Sequence, residues 1–306
     1  MEEILLKTHQ KRAFFVISFL FFCAYLFFRF FLIPIFDPEE KLTLAKLFGI
    51  ILDTFIASYM ITVIIGGFIY FITPKKHFRS TIEVISPKEI GHILKSNAYT
   101  SRKWIYKGTC GRFTRATTLP IMARSARHDS LGRTIDIYLL NPENDKICKE
   151  YAIYRSGLKS GSKNIWSLKF VQEEILATTI CALKYKQCEP LLDIRLFYLD
   201  NFSSFRFDIS NQNAIITKED PTASALLANH GSYFYDSYVE DIRIISTHCK
   251  QIDISKESSV NLDTNIQKCC VEILLKDYLN LDLSKINQVD YNEIACKVNT
   301  PSDPYS

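Results

Sequence analysis

Apolar residues crowd the chain before residue 80 and thin out after it. From Phe14 to Phe36 only Ser18, Arg29 and Pro34 interrupt an apolar run, and from Leu47 to Ile72 the one charge is Asp53. Each run exceeds the roughly 20 residues that cross a hydrocarbon core of about 30 Å. The pattern therefore predicts a two-helix transmembrane hairpin within residues 1–79, with helices over about 14–36 and 47–72. The first run is too long for the ~7–15-residue core of a signal peptide, and no A-x-A cleavage site follows it.

Beyond residue 80 the periodicity alternates between helix and strand. Pro87 to Asn97 reads as a helix, with Ser86 as cap and Pro87 at its first position. Trp104 to Lys107 reads as a strand, Gly108 to Gly111 as a tight turn, and Arg112 to His128 as a helix that Pro120 interrupts or kinks. Thr134 to Leu140 alternates as a strand that Asn141-Pro142 ends, and Asp145 to Arg155 is helical. After a Gly/Ser loop at Leu158 to Lys163, Trp166 to Tyr185 is the longest helical pattern of this part. Strands follow at Leu192–Leu199, Ser204–Ile209 and Ala214–Thr217, the last two joined by Asn211 to Asn213. A helix capped by Ser232 runs to Ile245, weaker helical periodicity covers Ile266 to Tyr278, and Asn299 to Ser306 reads as a frayed end. Strands alternating with helices predict one α/β domain with a mixed sheet over residues 80–306.

Charge adds an orientation. Lys7, Lys11 and Arg12 precede the first apolar run, and Lys75, Lys76 and Arg79 follow the second. The connection between the runs balances Asp37, Glu39 and Glu40 against Lys41 and Lys46. The positive-inside rule then places both termini in the cytoplasm and the connecting loop outside. Arg29 and Asp53 fall at nearly the same depth of an antiparallel hairpin, which predicts an ion pair within it or between copies; Arg29 snorkelling to the interface is the alternative. The net charge of +4 is too small to argue for nucleic acid. Nine cysteines without a CxxC pair read as reduced thiols, and no Cys/His spacing fits a metal.

The chemistry that stands out is cationic. Gly108-Thr109-Cys110-Gly111-Arg112, with Arg115 one helical turn on, joins a strand to a helix. Such a turn offers backbone N–H groups and guanidinium forks to an anion such as a nucleotide or phosphate. The same residues also fit a plain turn with solvated arginines. Arg155 lies after the next strand, on the edge where α/β sheets bind ligands, and is a second candidate for one cleft. Neither a dinucleotide fingerprint nor a P-loop is present, so no cofactor is called for. G-x-S-x-G and HExxH are also absent. No catalytic set emerges.

Trp104 to Arg127, WIYKGTCGRFTRATTLPIMARSAR, and Ile135 to Arg155, IDIYLLNPENDKICKEYAIYR, resemble bacterial proteins that join two transmembrane helices to a phospholipase-D-like α/β domain; Gly231 to Asp253 is similar to the same group. Phospholipase-D enzymes carry two HxKxxxxD motifs. Here His248-Cys249-Lys250 has Ser255 at the acid position and Asp253 two residues early, and His9-Gln10-Lys11 has Ser18. The resemblance extends to effectors of anti-phage systems, including retron and cyclic-oligonucleotide systems. It implies a toxin-like membrane effector controlled by a protein or nucleoprotein of the same operon, able to self-associate. A membrane-bound phosphodiesterase or nucleotide-processing enzyme and a non-catalytic receptor or anchor are the alternatives.

Overall fold

The computed structural model describes residues 16, 20–28, 31, 35, 43–72, 82–158, 166–220, 222–256, 260–262 and 265–304. The chain divides into two compact units, Met1–Phe78 and Arg79–Ser306.

In the first unit every described residue between 14 and 36 is helical, and a second helix, α1, runs over Thr43–Ile72. Among the described residues one helix, Gly49–Phe68 within α1, is long and apolar enough to cross a membrane by length and composition. One span, not the expected two, is thus seen there. The Tyr25 hydroxyl donates to Asp53 Oδ1 at 2.9 Å. Arg29, the partner expected for Asp53, lies outside the described residues. On α1 the hydroxyls of Thr54, Ser58 and Thr62 each donate to the carbonyl four residues back. That is how a hydroxyl side chain satisfies itself where water is scarce.

The second unit is an α/β domain on one mixed eight-stranded sheet, ordered β1-β7-β6-β5-β2-β3-β4-β8. The strands are β1 Ile82–Ile85, β2 Lys103–Lys107, β3 Arg133–Leu140, β4 Leu192–Leu199, β5 Phe205–Ser210, β6 Asn213–Lys218, β7 Ala225–Asn229 and β8 Lys250–Ile252. Strands β2, β3 and β4 are parallel, and all the other pairings are antiparallel. Parallel neighbours need helical crossovers. The first crossover is a π-helical turn, Thr114–Thr118, that runs into helix α3, Leu119–Asp129. The second consists of α4, Asp145–Ser156, and α5, Leu168–Cys188. β3 is buried along nearly its whole length, as a strand covered on both faces must be. α5 is buried without a break from Val171 to Leu183 and forms the spine of the core.

Local chemistry explains most boundaries. Helix α2, Pro87–Thr100, begins with a capping box between Ser86 and Glu89 and has Pro87 in its first turn. Ser167 caps α5, and Ser232 caps α6, Tyr233–Ser246. The kink expected at Pro120 is a π turn instead. Pro120 has no N–H to donate, and its ring would crowd the carbonyl four residues back; the wider turn before it relieves that clash.

Three strands escape the sequence pattern: β1, β7 and β8. The C-terminal end is also not frayed through Pro304. After α7, Lys268–Ile273, helix α8, Tyr291–Asn299, is tied to α5 by Lys297 Nζ at 2.8 Å from Glu173 Oε2, and the Asp290 N–H donates to Glu173 Oε1 at 3.0 Å. Beyond α8, Asp303 pairs with Lys95 at 2.8 Å.

Candidate functional site

The carboxyl end of β2 opens into a cleft of about 50 Å³, where a parallel sheet presents loops to a ligand. The turn after β2 forms its floor. Gly108 must be glycine, because a Cβ there would stand 2.2 Å from the Tyr106 hydroxyl oxygen. Gly111 adopts φ +68°, and its Cβ would meet Thr178 Cγ2 at 2.8 Å. Pairing continues through the turn: Gly108 N–H donates to Tyr138 O at 3.1 Å, and Leu140 N–H to Thr109 O at 3.1 Å. Gly111 N–H donates to Tyr106 Oη at 3.1 Å. The backbone donors of Gly108 and Gly111 are therefore spent inside the protein. This corrects the expectation that these two N–H groups cradle an anion.

Arg112 and Arg155, both expected at the site, line the cleft. Arg112 is 22% exposed and stands 3.7 Å from Glu174. Arg155 is 7% exposed, at the last turn of α4, where the helix dipole favours a cation. Its Cζ lies 4.4 Å over the Trp166 ring. Its Nε and Nη1 have no hydrogen-bond partner among the described residues. Asn144 caps α4 by accepting from Ile147 N–H at 3.4 Å, which fixes the helix that carries Arg155.

Arg115 does not belong to this set. It is 2% exposed, donates from Nη2 to Glu174 Oε2 at 2.7 Å, and donates from Nη1 to Glu174 O and Thr178 Oγ1. It locks the crossover to α5. Helical spacing placed it beside Arg112, and both do approach Glu174 Oε2, at 2.7 Å from Arg115 and 3.7 Å from Arg112; what sets Arg115 apart is that α5 engages both of its terminal nitrogens.

Other walls of the cleft went unforeseen. Arg206 comes from β5 and donates from Nε to Asp208 Oδ2 at 3.0 Å. Lys218 and Glu219 come from the end of β6, and Thr109 Oγ1 donates to Glu219 Oε1 at 2.7 Å. Tyr106, Tyr151, Phe113 and Pro304 also line the cleft. Their signal lies in sheet order: β5 pairs antiparallel with β2, Lys107 opposite Phe207, which carries Arg206 to Gly108.

The cleft can bind but holds little to react with. Burial, and then the Glu219 charge, push the Tyr106 and Tyr151 phenols well above their usual range, so both hydroxyls keep their protons. Burial likewise pushes the Cys110 thiol up, which makes it a poor nucleophile. Among the described residues no histidine lines the cleft. Among the described residues no three of His, Cys, Asp and Glu stand together to hold a metal ion. His248 is exposed, Lys250 donates to Glu143 Oε2 at 2.7 Å, and Asp253 is engaged by Ser255. The HxK fragment is thus an exposed turn leading into β8, away from the lining of the cleft. His230 packs its ring edge-on to Tyr235 at 4.9 Å.

No protein-family model and no curated protein matches this chain. Among solved structures it is similar to TrmBL2, an archaeal chromatin protein described as showing a novel mode of DNA binding. The two share 9% identity over 71% of this chain and 70% of that one, with a TM-score of 0.31, which is too low to carry an argument.

Proposed function

We propose that this protein is a membrane-anchored, non-catalytic sensor and effector of a bacterial anti-phage system. In this reading the α/β domain lies in the cytoplasm and recognises an anionic cue in the Arg155 cleft. The segments around residues 14–36 and 47–72 cross the inner membrane as a hairpin and compromise it on activation, as a homo-oligomer or under a partner protein of the same operon. The observation that carries the sensing half is the buried Arg155 guanidinium, which has two nitrogens without partners among the described residues, in a cleft that no histidine lines. An unpaired buried charge is unfavourable by several kcal/mol, so a site that keeps one is built for an anion that arrives from outside. The defence role rests on the sequence resemblance.

The membrane half is supported by the apolar α1 and by the Tyr25–Asp53 hydrogen bond between its two helical stretches. A carboxylate inside a membrane segment usually serves an assembled or conducting state. Expression without neighbouring genes should arrest growth and depolarise cells. The double variant Arg29→Leu/Asp53→Leu should abolish both effects at equal membrane abundance. Undiminished depolarisation in that variant would remove the charges from the mechanism. A full chain that inserts in membranes yet never affects growth would favour the receptor-like alternative.

A further inference from the structure

We infer that the Arg155 cleft selects a dianionic phosphate, the terminal group of a phosphomonoester, over a singly charged phosphodiester. The inference rests on the cleft being an anion receptor and adds what it receives. Four cations line it: Arg112, Arg155, Arg206 and Lys218. Arg206 is matched by Asp208 in a pair only 8% and 1% exposed. Glu174, the carboxylate nearest Arg112, is already matched by Arg115 at 2.7 Å, and Lys297 answers Glu173 at 2.8 Å. Arg112 at 3.7 Å is therefore a surplus charge. Glu219 offsets one of Arg112, Arg155 and Lys218. Among the described residues about two positive charges remain, held in a partly desolvated cleft where each unit of imbalance weighs more than in water.

Three further features agree with that charge. Arg155 Cζ is held 4.4 Å over the Trp166 ring, and its Nε and Nη1, on separate edges of the guanidinium and without partners among the described residues, are each left to donate to an anion oxygen. The volume of about 50 Å³ suits one small oxyanion, given that a water needs roughly 10–15 Å³ of such space, and leaves a sugar and base outside. In sequence, residues 159–165 hold Lys159 and Lys163 and no acidic residue.

The test is thermal unfolding of the full chain in detergent, titrated with inorganic phosphate, adenosine 5′-monophosphate and cyclic 3′,5′-adenosine monophosphate. Phosphate and the monoester should stabilise the protein, and the cyclic diester should bind about tenfold more weakly, as one lost charge contact in such a site predicts. Arg155→Gln should abolish all three responses. Should that variant fail to fold, the exposed Lys218→Gln serves instead, weakening the monoester more than the diester and narrowing the preference. Equal, Arg155-dependent binding of diester and monoester would overturn the dianion inference and leave the anion receptor standing. Absence of any Arg155-dependent response to all three at millimolar concentration would overturn both.

Discussion

Two buried arginines in this domain have opposite surroundings. Arg115, 2% exposed, is bonded to a carboxylate, a carbonyl and a hydroxyl, all supplied by α5. Arg155, 7% exposed, lies on a Trp ring with Nε and Nη1 unbonded among the described residues. Burial and charge are nearly the same; what differs is whether the protein answers the charge itself. A buried cation matched by a carboxylate, as Arg115 is although its Nε is unbonded among the described residues, is part of the scaffold, and an unmatched one is unfavourable unless something outside the chain completes it. The cleft is recognised by this contrast and not by the count of its arginines.

The contrast breaks most sharply at Arg115. Arg115→Leu leaves Glu174 buried with its nearest partner gone, and Glu174→Ala strands Arg115. Each should destabilise the domain by about 3–5 kcal/mol, the usual consequence of removing one member of a buried pair. Urea denaturation of the full chain in detergent measures it. A loss below about 1 kcal/mol would mean the pair is not structural. The floor of the cleft comes next. Gly111→Ala forces a Cβ into a left-handed backbone position already crowded by Thr178, for about 2 kcal/mol or more. Wild-type stability in that variant would show that the turn relaxes freely. Arg155→Gln should run the other way: by removing an unanswered charge it raises the ligand-free stability by up to about 1 kcal/mol. A destabilisation like that of Arg115→Leu would mean that Arg155 has a structural partner.

What could be read from the sequence divides along similar lines. Leu192–Leu199 and the Ser86–Pro87 helix start announce themselves, because alternation and caps are local signals. β8 has three residues and β1 four, too short for a period to show. Gly111, Arg112 and Arg155 were legible because they follow strand ends in chain order. Arg206, Lys218 and Glu219 were not, because they join the cleft only through the pairing of β5 with β2. Arg115 does lie beside Arg112, as the spacing implied, but α5 answers its charge, and the packing of the crossover against α5 is not written in local periodicity. Sequence pattern carries local periodicity well and sheet order hardly at all.

A third kind of charge, neither sealed nor unanswered, gives the smallest effect. Glu143 sits after β3, accepting from Asp282 N–H at 2.8 Å and from Lys250 Nζ at 2.7 Å. It joins the edge strand β8 to the C-terminal segment. Burial alone would push its carboxyl up, but the bonds from the Asp282 N–H and Lys250 outweigh this and hold it below the usual glutamate range. A carboxylate with a depressed folded pKa contributes stability above its unfolded value, about 4.3, and loses it as pH falls through the folded value. Glu143→Gln should therefore be slightly less stable than wild type at neutral pH, and the difference should close as the pH drops below about 4. Urea midpoints of both proteins at neutral and acid pH test this. A gap that persists in acid would assign the effect to lost packing or to the amide failing to accept both bonds, and not to charge.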